Sequence, residues 1–304
     1  MMPKSSILAL TAASAVLAQR PNGTSICDYY TTALLKNNTA ENQYTVLTLV
    51  VNTAVIGNYT TPNVGIAVPG ILASGMYNGT EVNLLPYFNG ELASSNRGGS
   101  AGVSINFLDG GGATPIMNNM PANDSSSNQY FLLTHLYQFF GSLLGCSDYG
   151  MAGFPAYDGH ASMYQVHKFM DLDVNEVGYF IQQVGLAAES FGVTADDATA
   201  VGMALNTLFG YRCAPNATAI AAQGPQQQSI CIADDCPIAA DAVCDQYATA
   251  VEPKNATSSS SNSTTTGTGS SSSPTSSIVQ ASASSTAINI GSILAVVLFA
   301  VSMF

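Results

Sequence analysis

Few side chains in this sequence can do chemistry. Of its 304 residues only three are histidines, His135, His160 and His167. A neutral imidazole is the side chain best suited to hold a transition metal or to move a proton near neutral pH. His135 and His167 fall inside apolar stretches with helical spacing, whereas His160 ends a loop that runs to Gly159. A histidine on an apolar helix face is most often a hydrogen-bonded packing residue, so a ligand role needs further pattern around it. Other chemistries lack their machinery. There is no Gly-x-Ser-x-Gly, His-Glu-x-x-His or phosphate-binding loop, and Gly110-Gly111-Gly112 lacks a following Lys-Ser/Thr. Asp171, Asp173, Asp196 and Asp197 read as helix caps, because paired catalytic carboxylates must face each other across a cleft. A net charge of -12 with seven basic residues excludes nucleic-acid and anionic-lipid partners, which require clustered Lys and Arg.

The elements that would position these histidines are helices. Apolar residues recur at helical spacing within the stretch 27–56, through Tyr44, Leu47, Val51 and Val55, with Asn58 and Pro62 ending it. Residues 59–125 are rich in Gly, Asn, Ser and Pro and predict loops and short elements. A strongly apolar helix follows over 130–144 and ends at Gly145. A short helix over 161–170 places Met163, Val166, His167 and Met170 on one face. Asp173 and Glu176 form an Asp-x-x-Glu capping box for a helix whose face is Val177, Phe180, Ile181, Val184 and Ala188. Thr194 with Asp197 caps a last helix that carries Ala198, Val201, Leu205 and Leu208.

Both ends of the chain point outside the cell. Residues 1–18 read as a signal peptide: Lys4, a short apolar run from Ile7 to Leu17, and Ala18 at the cut. Residues 288–304 are apolar with no basic residue behind them, and small residues precede them, the pattern of a glycosylphosphatidylinositol signal. Residues 251–287 form a Ser/Thr-rich stalk, too polar to bury a core and expected to be disordered. The membrane partner is thus a glycolipid anchor, and the expected location is the extracellular face of the plasma membrane or the cell wall. Sequons at Asn22, Asn37, Asn58, Asn78, Asn123, Asn216, Asn255 and Asn262 mark exposed backbone. Cys27, Cys146, Cys213, Cys231, Cys236 and Cys244 read as disulfides in that oxidising compartment. Fifteen pairings are open to six cysteines, and Cys231, Cys236 and Cys244 together outline a small stapled loop in a Cys-containing extension over 214–250.

Within 26–213 the order of several short motifs resembles the truncated globins. Phe139-Phe140-Gly141-Ser142-Leu143-Leu144-Gly145 is similar to the end of that family's distal helix. The run from Gly159-His160-Ala161-Ser162 through Met163 to His167 is similar to its approach to the iron-binding histidine, with a Met four residues ahead. Phe191-Gly192-Val193-Thr194 through Asp197 falls at the junction of its last two helices, and Leu84-Leu85-Pro86-Tyr87-Phe88 is similar to its aromatic corner. The resemblance implies a mainly α, globin-like domain with long loop insertions (90–127 and 146–158) and haem as cofactor. It implies His167 as proximal iron ligand, His135 as a second ligand on the far side, and Phe88 as the aromatic against the porphyrin. Two axial histidines would favour sensing or electron transfer, and a vacated one would admit a small diatomic ligand. The whole layout is similar to anchored surface glycoproteins of fungal type. A reading from the residues without haem is a disulfide-stapled structural or adhesive glycoprotein.

Overall fold

Six helices begin with a side chain that closes their first turn, and this local chemistry sets most of the architecture. The computed structural model describes residues 20–60 and 64–256. The signal peptide, Asn262, most of the stalk and the apolar tail lie outside the described residues. So does the second of the two units into which the chain divides, Ser259–Phe304.

The capped helices are α1 (Ile26–Leu35), α2 (Ala40–Ile56), α5 (Asn128–Leu143), α6 (Met163–His167), α7 (Val174–Ser190) and α8 (Ala195–Phe209). Ser25, Thr39, Ser127, Ser162, Asp173 and Thr194 each accept a backbone N–H of the following turn. Such a bond contributes about 1 kcal/mol. The box expected at Asp173 is complete, with Glu176 accepting from the Asp173 N–H in return. Where spacing reads as one helical stretch over 27–56, the chain makes two helices. Lys36 turns left-handed at φ 71°, and Thr39 starts a new helix.

The fold is mostly helical, with two short strands among the described residues. α2 packs against α1, α5 and α7, and α7 packs against α8. Leu47, Val51, Ala54 and Val55 of α2 meet Leu133, Tyr137 and Phe140 of α5 and Val184 and Ala187 of α7 in one buried cluster. Between α2 and α5 lie an antiparallel hairpin of β1 (Gly75–Tyr77) and β2 (Thr80–Val82), then α3 (Leu85–Phe88) and α4 (Ala113–Ile116). Among the described residues no helix is long and apolar enough to cross a membrane.

Buried amides hold the irregular segments to this helical layer. Gln183 of α7 accepts from the Gly70 N–H, Asn52 of α2 donates to the Ile116 carbonyl, and Gln129 of α5 bonds Gly112 and Pro121. Each of the three is at most 1 % exposed. A buried amide left unmatched is costly, so these bonds fix where the loops sit.

All six cysteines are paired: Cys27–Cys146, Cys213–Cys244 and Cys231–Cys236. Only Cys231 and Cys236 close a loop within the set 231, 236 and 244, because Cys244 bonds back to Cys213, past the end of α8. The extension after Cys213 packs on the helices through Gln228 (1 % exposed), which accepts from the Met163 N–H at 3.1 Å and donates to the carbonyls of Ala161 and Ala217. The first residues of the expected stalk also pair with the fold: Ala93 donates to the Lys254 carbonyl and Ala256 to that of Glu91. The seven sequon asparagines among the described residues are all exposed.

Candidate functional site

α3, α5, α6 and α7 line a cavity of about 300 Å³, together with Phe209 and with Ile230 of the extension. Its body is apolar, with Phe139, Phe140, Met163, Val166, Phe180 and Ile181 among its walls. A smaller void of about 60 Å³ lies among α1, α2, α5, α7 and α8 and offers no imidazole. All three histidines line the larger cavity, and so does Phe88.

His167 is the last residue of α6. Its Nδ1 lies 2.8 Å from the Met163 carbonyl, one turn back. Nδ1 therefore carries the proton in the neutral ring, and Nε2 is the lone-pair nitrogen. No described residue bonds Nε2. His167 lines the cavity, and burial pushes its imidazolium pKa below 6.5, only partly offset by the Met163 carbonyl. A neutral imidazole anchored through Nδ1 with Nε2 free is the usual state of a metal-ligating histidine.

His135, in the middle of α5, uses the same local device, with Nδ1 2.6 Å from the Phe131 carbonyl. Its Nε2, however, lies 3.1 Å from Oδ1 of Asp158, a side chain 85 % exposed. Both contacts are hydrogen bonds at once only when the ring is protonated. Phe131 stacks on one side of the ring at 4.0 Å, and Tyr157 meets it edge-on at 5.5 Å. His160 sits in the same rim, where its Nδ1 accepts from the Ser162 N–H at 3.1 Å. The Tyr157 hydroxyl donates to the His160 carbonyl, and burial pushes its pKa up to about 12.

Two charged residues of the cavity, Glu176 and Arg97, were not singled out by sequence reasoning as site residues. Glu176 was read as a capping residue and is one, but its other oxygen accepts from the Tyr87 hydroxyl at 2.9 Å. Burial raises the Glu176 pKa, against the opposing hydrogen bonds from the Asp173 N–H and Tyr87. Arg97 stands at the edge, 4.5 Å over the Phe131 ring. Lys168 bonds Gln165 and lies over Phe169, away from the cavity lining. Of the four aspartates read as caps, Asp173 caps α7, while Thr194 caps α8 with Asp196 and Asp197 in its first turn. Burial works against the ionised Asp197, but hydrogen bonds from Arg20 and Tyr30 outweigh it and lower its pKa. Asp171 caps nothing: it turns left-handed at φ 50°, and its buried Oδ1 has no partner among the described residues.

Among the described residues no three His, Cys, Asp or Glu side chains cluster to hold a bare metal ion. Haem makes a smaller demand, because the macrocycle supplies four of iron's donors. One free imidazole in an apolar slot with an aromatic wall satisfies the rest. His167 and Phe88 both line the cavity, and Nε2 of His167 has no partner among the described residues. His135 offers a free nitrogen only if Nε2 leaves Asp158.

Comparison with protein-family models, with curated proteins and with solved structures gave no match. The likeness to truncated globins therefore rests on the residues quoted above.

Proposed function

We propose that this chain is a cell-surface haem-binding protein with a globin-like helical domain, in which His167 ligates iron and Phe88 packs on the macrocycle. The observation that carries the reading is His167: it is neutral, anchored through Nδ1, unpartnered at Nε2, and on the wall of a largely apolar cavity. Bound there, haem would supply an iron centre able to take a small diatomic ligand or an electron. The chain's own contribution is to hold the proximal nitrogen, exclude water with α5 and α7, and keep His135 at the rim through Asp158. While that contact holds, Nε2 of His135 would not be free to ligate a bound iron, which would favour binding or sensing of a small diatomic ligand over electron transfer. Release of His135 would let it take the sixth position.

Three paired disulfides, exposed sequons and the two terminal signals support display on the outer face of the plasma membrane or in the cell wall, on a glycolipid anchor. A phospholipase specific for that anchor should release the protein from intact cells; retention after complete digestion counts against display by this route. For haem, titration of the purified ectodomain with haemin should produce a Soret band that saturates at one equivalent. Without such a band, the domain reverts to a disulfide-stapled structural or adhesive glycoprotein.

A further inference from the structure

Arg97 departs from the pattern set by the other arginines. Arg20 pairs with Asp197 at 2.9 Å and Arg212 with Asp234 at 2.8 Å. Arg97 takes part in none of the described ion pairs, although acidic residues outnumber basic ones by 19 to seven. Its guanidinium donates instead to the neutral Oδ1 of Asn128, whose Nδ2 is already bonded to Asp109. The position is built. Ser95 and Val103 exchange both backbone hydrogen bonds at 3.0 Å, and the Ser95 hydroxyl accepts from the Arg97 N–H to start the turn Asn96–Gly98. The Val103 side chain occupies the space a Cβ on Gly98 would need. Asn96 and Arg97 thereby form part of the cavity lining next to Phe131, which is 43 % exposed. Glu176, the acid of the same cavity, has both oxygens engaged, by the Asp173 N–H and by Tyr87.

We infer that Arg97 is the carboxylate anchor of this cavity: its ligand has an apolar body that enters between α5, α6 and α7 and at least one carboxylate that stays at the edge, paired with the guanidinium. A guanidinium matches a carboxylate with two parallel N–H donors, and its place 4.5 Å over the Phe131 ring holds it at the cavity edge. The inference deepens the proposed function, since haem is one such ligand, but its test separates the two. The mature protein, disulfides intact, is titrated with haemin, haemin dimethyl ester and iron-free protoporphyrin. Arg97→Leu should weaken haemin and protoporphyrin by roughly tenfold, the scale of one charge-assisted bond. It should leave binding of the ester unchanged, and Arg97→Lys should recover part of the loss. Equal haemin affinity in Arg97→Leu and wild type overturns the anchor, as does an equal loss for acid and ester, which would make Arg97 a packing residue. If protoporphyrin binds in an Arg97-dependent way and iron adds nothing, the anchor stands and iron ligation by His167 falls. If haemin binding depends on His167 but not on Arg97, the anchor falls alone. Failure of every probe to bind overturns both.

Discussion

His135 and His167 begin alike and end differently. Each bonds the carbonyl four residues back through Nδ1, at 2.6 Å and 2.8 Å, so in each the helix itself fixes the ring and leaves Nε2 to decide its role. On the α5 wall that nitrogen meets a solvent-exposed carboxylate, and the ring sits between Phe131 and Tyr157. On the α6 wall it meets no described partner. Placement on an apolar helix therefore does not separate a rim histidine from a ligand; the surroundings of the second nitrogen do.

The largest effect should follow from removing that second nitrogen on α6. If His167 ligates iron as proposed, His167→Ala would take away that bond, so haemin retention should fall by at least about a hundredfold, while far-ultraviolet circular dichroism stays helical. His135→Ala should retain haemin. If the two variants lose it equally, or neither does, the contrast drawn between the walls is wrong.

The helical wall of each histidine was legible from the residues, and the partner across the cavity was not. The spacing of Tyr44, Leu47, Val51 and Val55 announces α2. Asp173 with Glu176 announces α7, because caps and apolar stripes are local and one helix turn brings their parts together. Asp158 lies 23 positions after His135, in a loop without periodicity, and nothing local ties the two. The same holds for Gln228 and Met163, and for Arg97, whose turn is set by the pairing of Ser95 with Val103. Cysteine pairing was open for the same reason: which thiols meet depends on how loops fold back, not on spacing.

The α6 wall depends on one of these distant ties, which gives the next prediction. Gln228 bonds the Met163 N–H and the carbonyls of Ala161 and Ala217. Gln228→Ala should destabilise the domain by about 2 to 3 kcal/mol, the cost of buried backbone groups left unmatched. It should also weaken haemin binding, since α6 begins at Met163. A melting temperature within one degree of wild type would mean that α6 is held by other contacts.

A gentler probe is pH, applied to the protein without haem. Burial keeps the folded-state pKa of His167 below the value of 6.5 that applies when the ring is free. Between those two values the unfolded chain binds a proton that the folded chain excludes, so stability should fall as pH drops from 6.5 through the folded pKa, and this contribution should be flat above. Glu176 acts in the opposite sense: burial raises its pKa above 4.5, so its contribution is lost as pH rises through that window. The difference between wild type and His167→Gln isolates the histidine. Melting curves that run parallel for the two proteins from pH 7 to pH 5 would show that His167 titrates as if it were in water.

The smallest change in stability, and the sharpest test of the rim, belongs to Asp158. Its side chain is 85 % exposed and that of His135 is 18 % exposed, so their contact, an ion pair only when the ring is protonated, contributes about 0.5 kcal/mol or less, screened by solvent and salt. Asp158→Ala should therefore leave the melting temperature almost unchanged. What it alters is where Nε2 of His135 can go. With the carboxylate present, the nitrogen is drawn to the solvent side, and the wild-type haemin complex should have the high-spin spectrum of a single axial histidine. Without it, nothing described holds Nε2 outward, while Phe131 and Tyr157 still keep the ring at the cavity edge. The spectrum should shift toward low-spin, and adding His135→Ala in the same chain should reverse the shift. A low-spin wild-type complex that loses this character in His135→Ala would mean that His135 ligates iron despite Asp158. An Asp158→Ala complex that stays high-spin would mean that packing, and not the ion pair, keeps His135 at the rim.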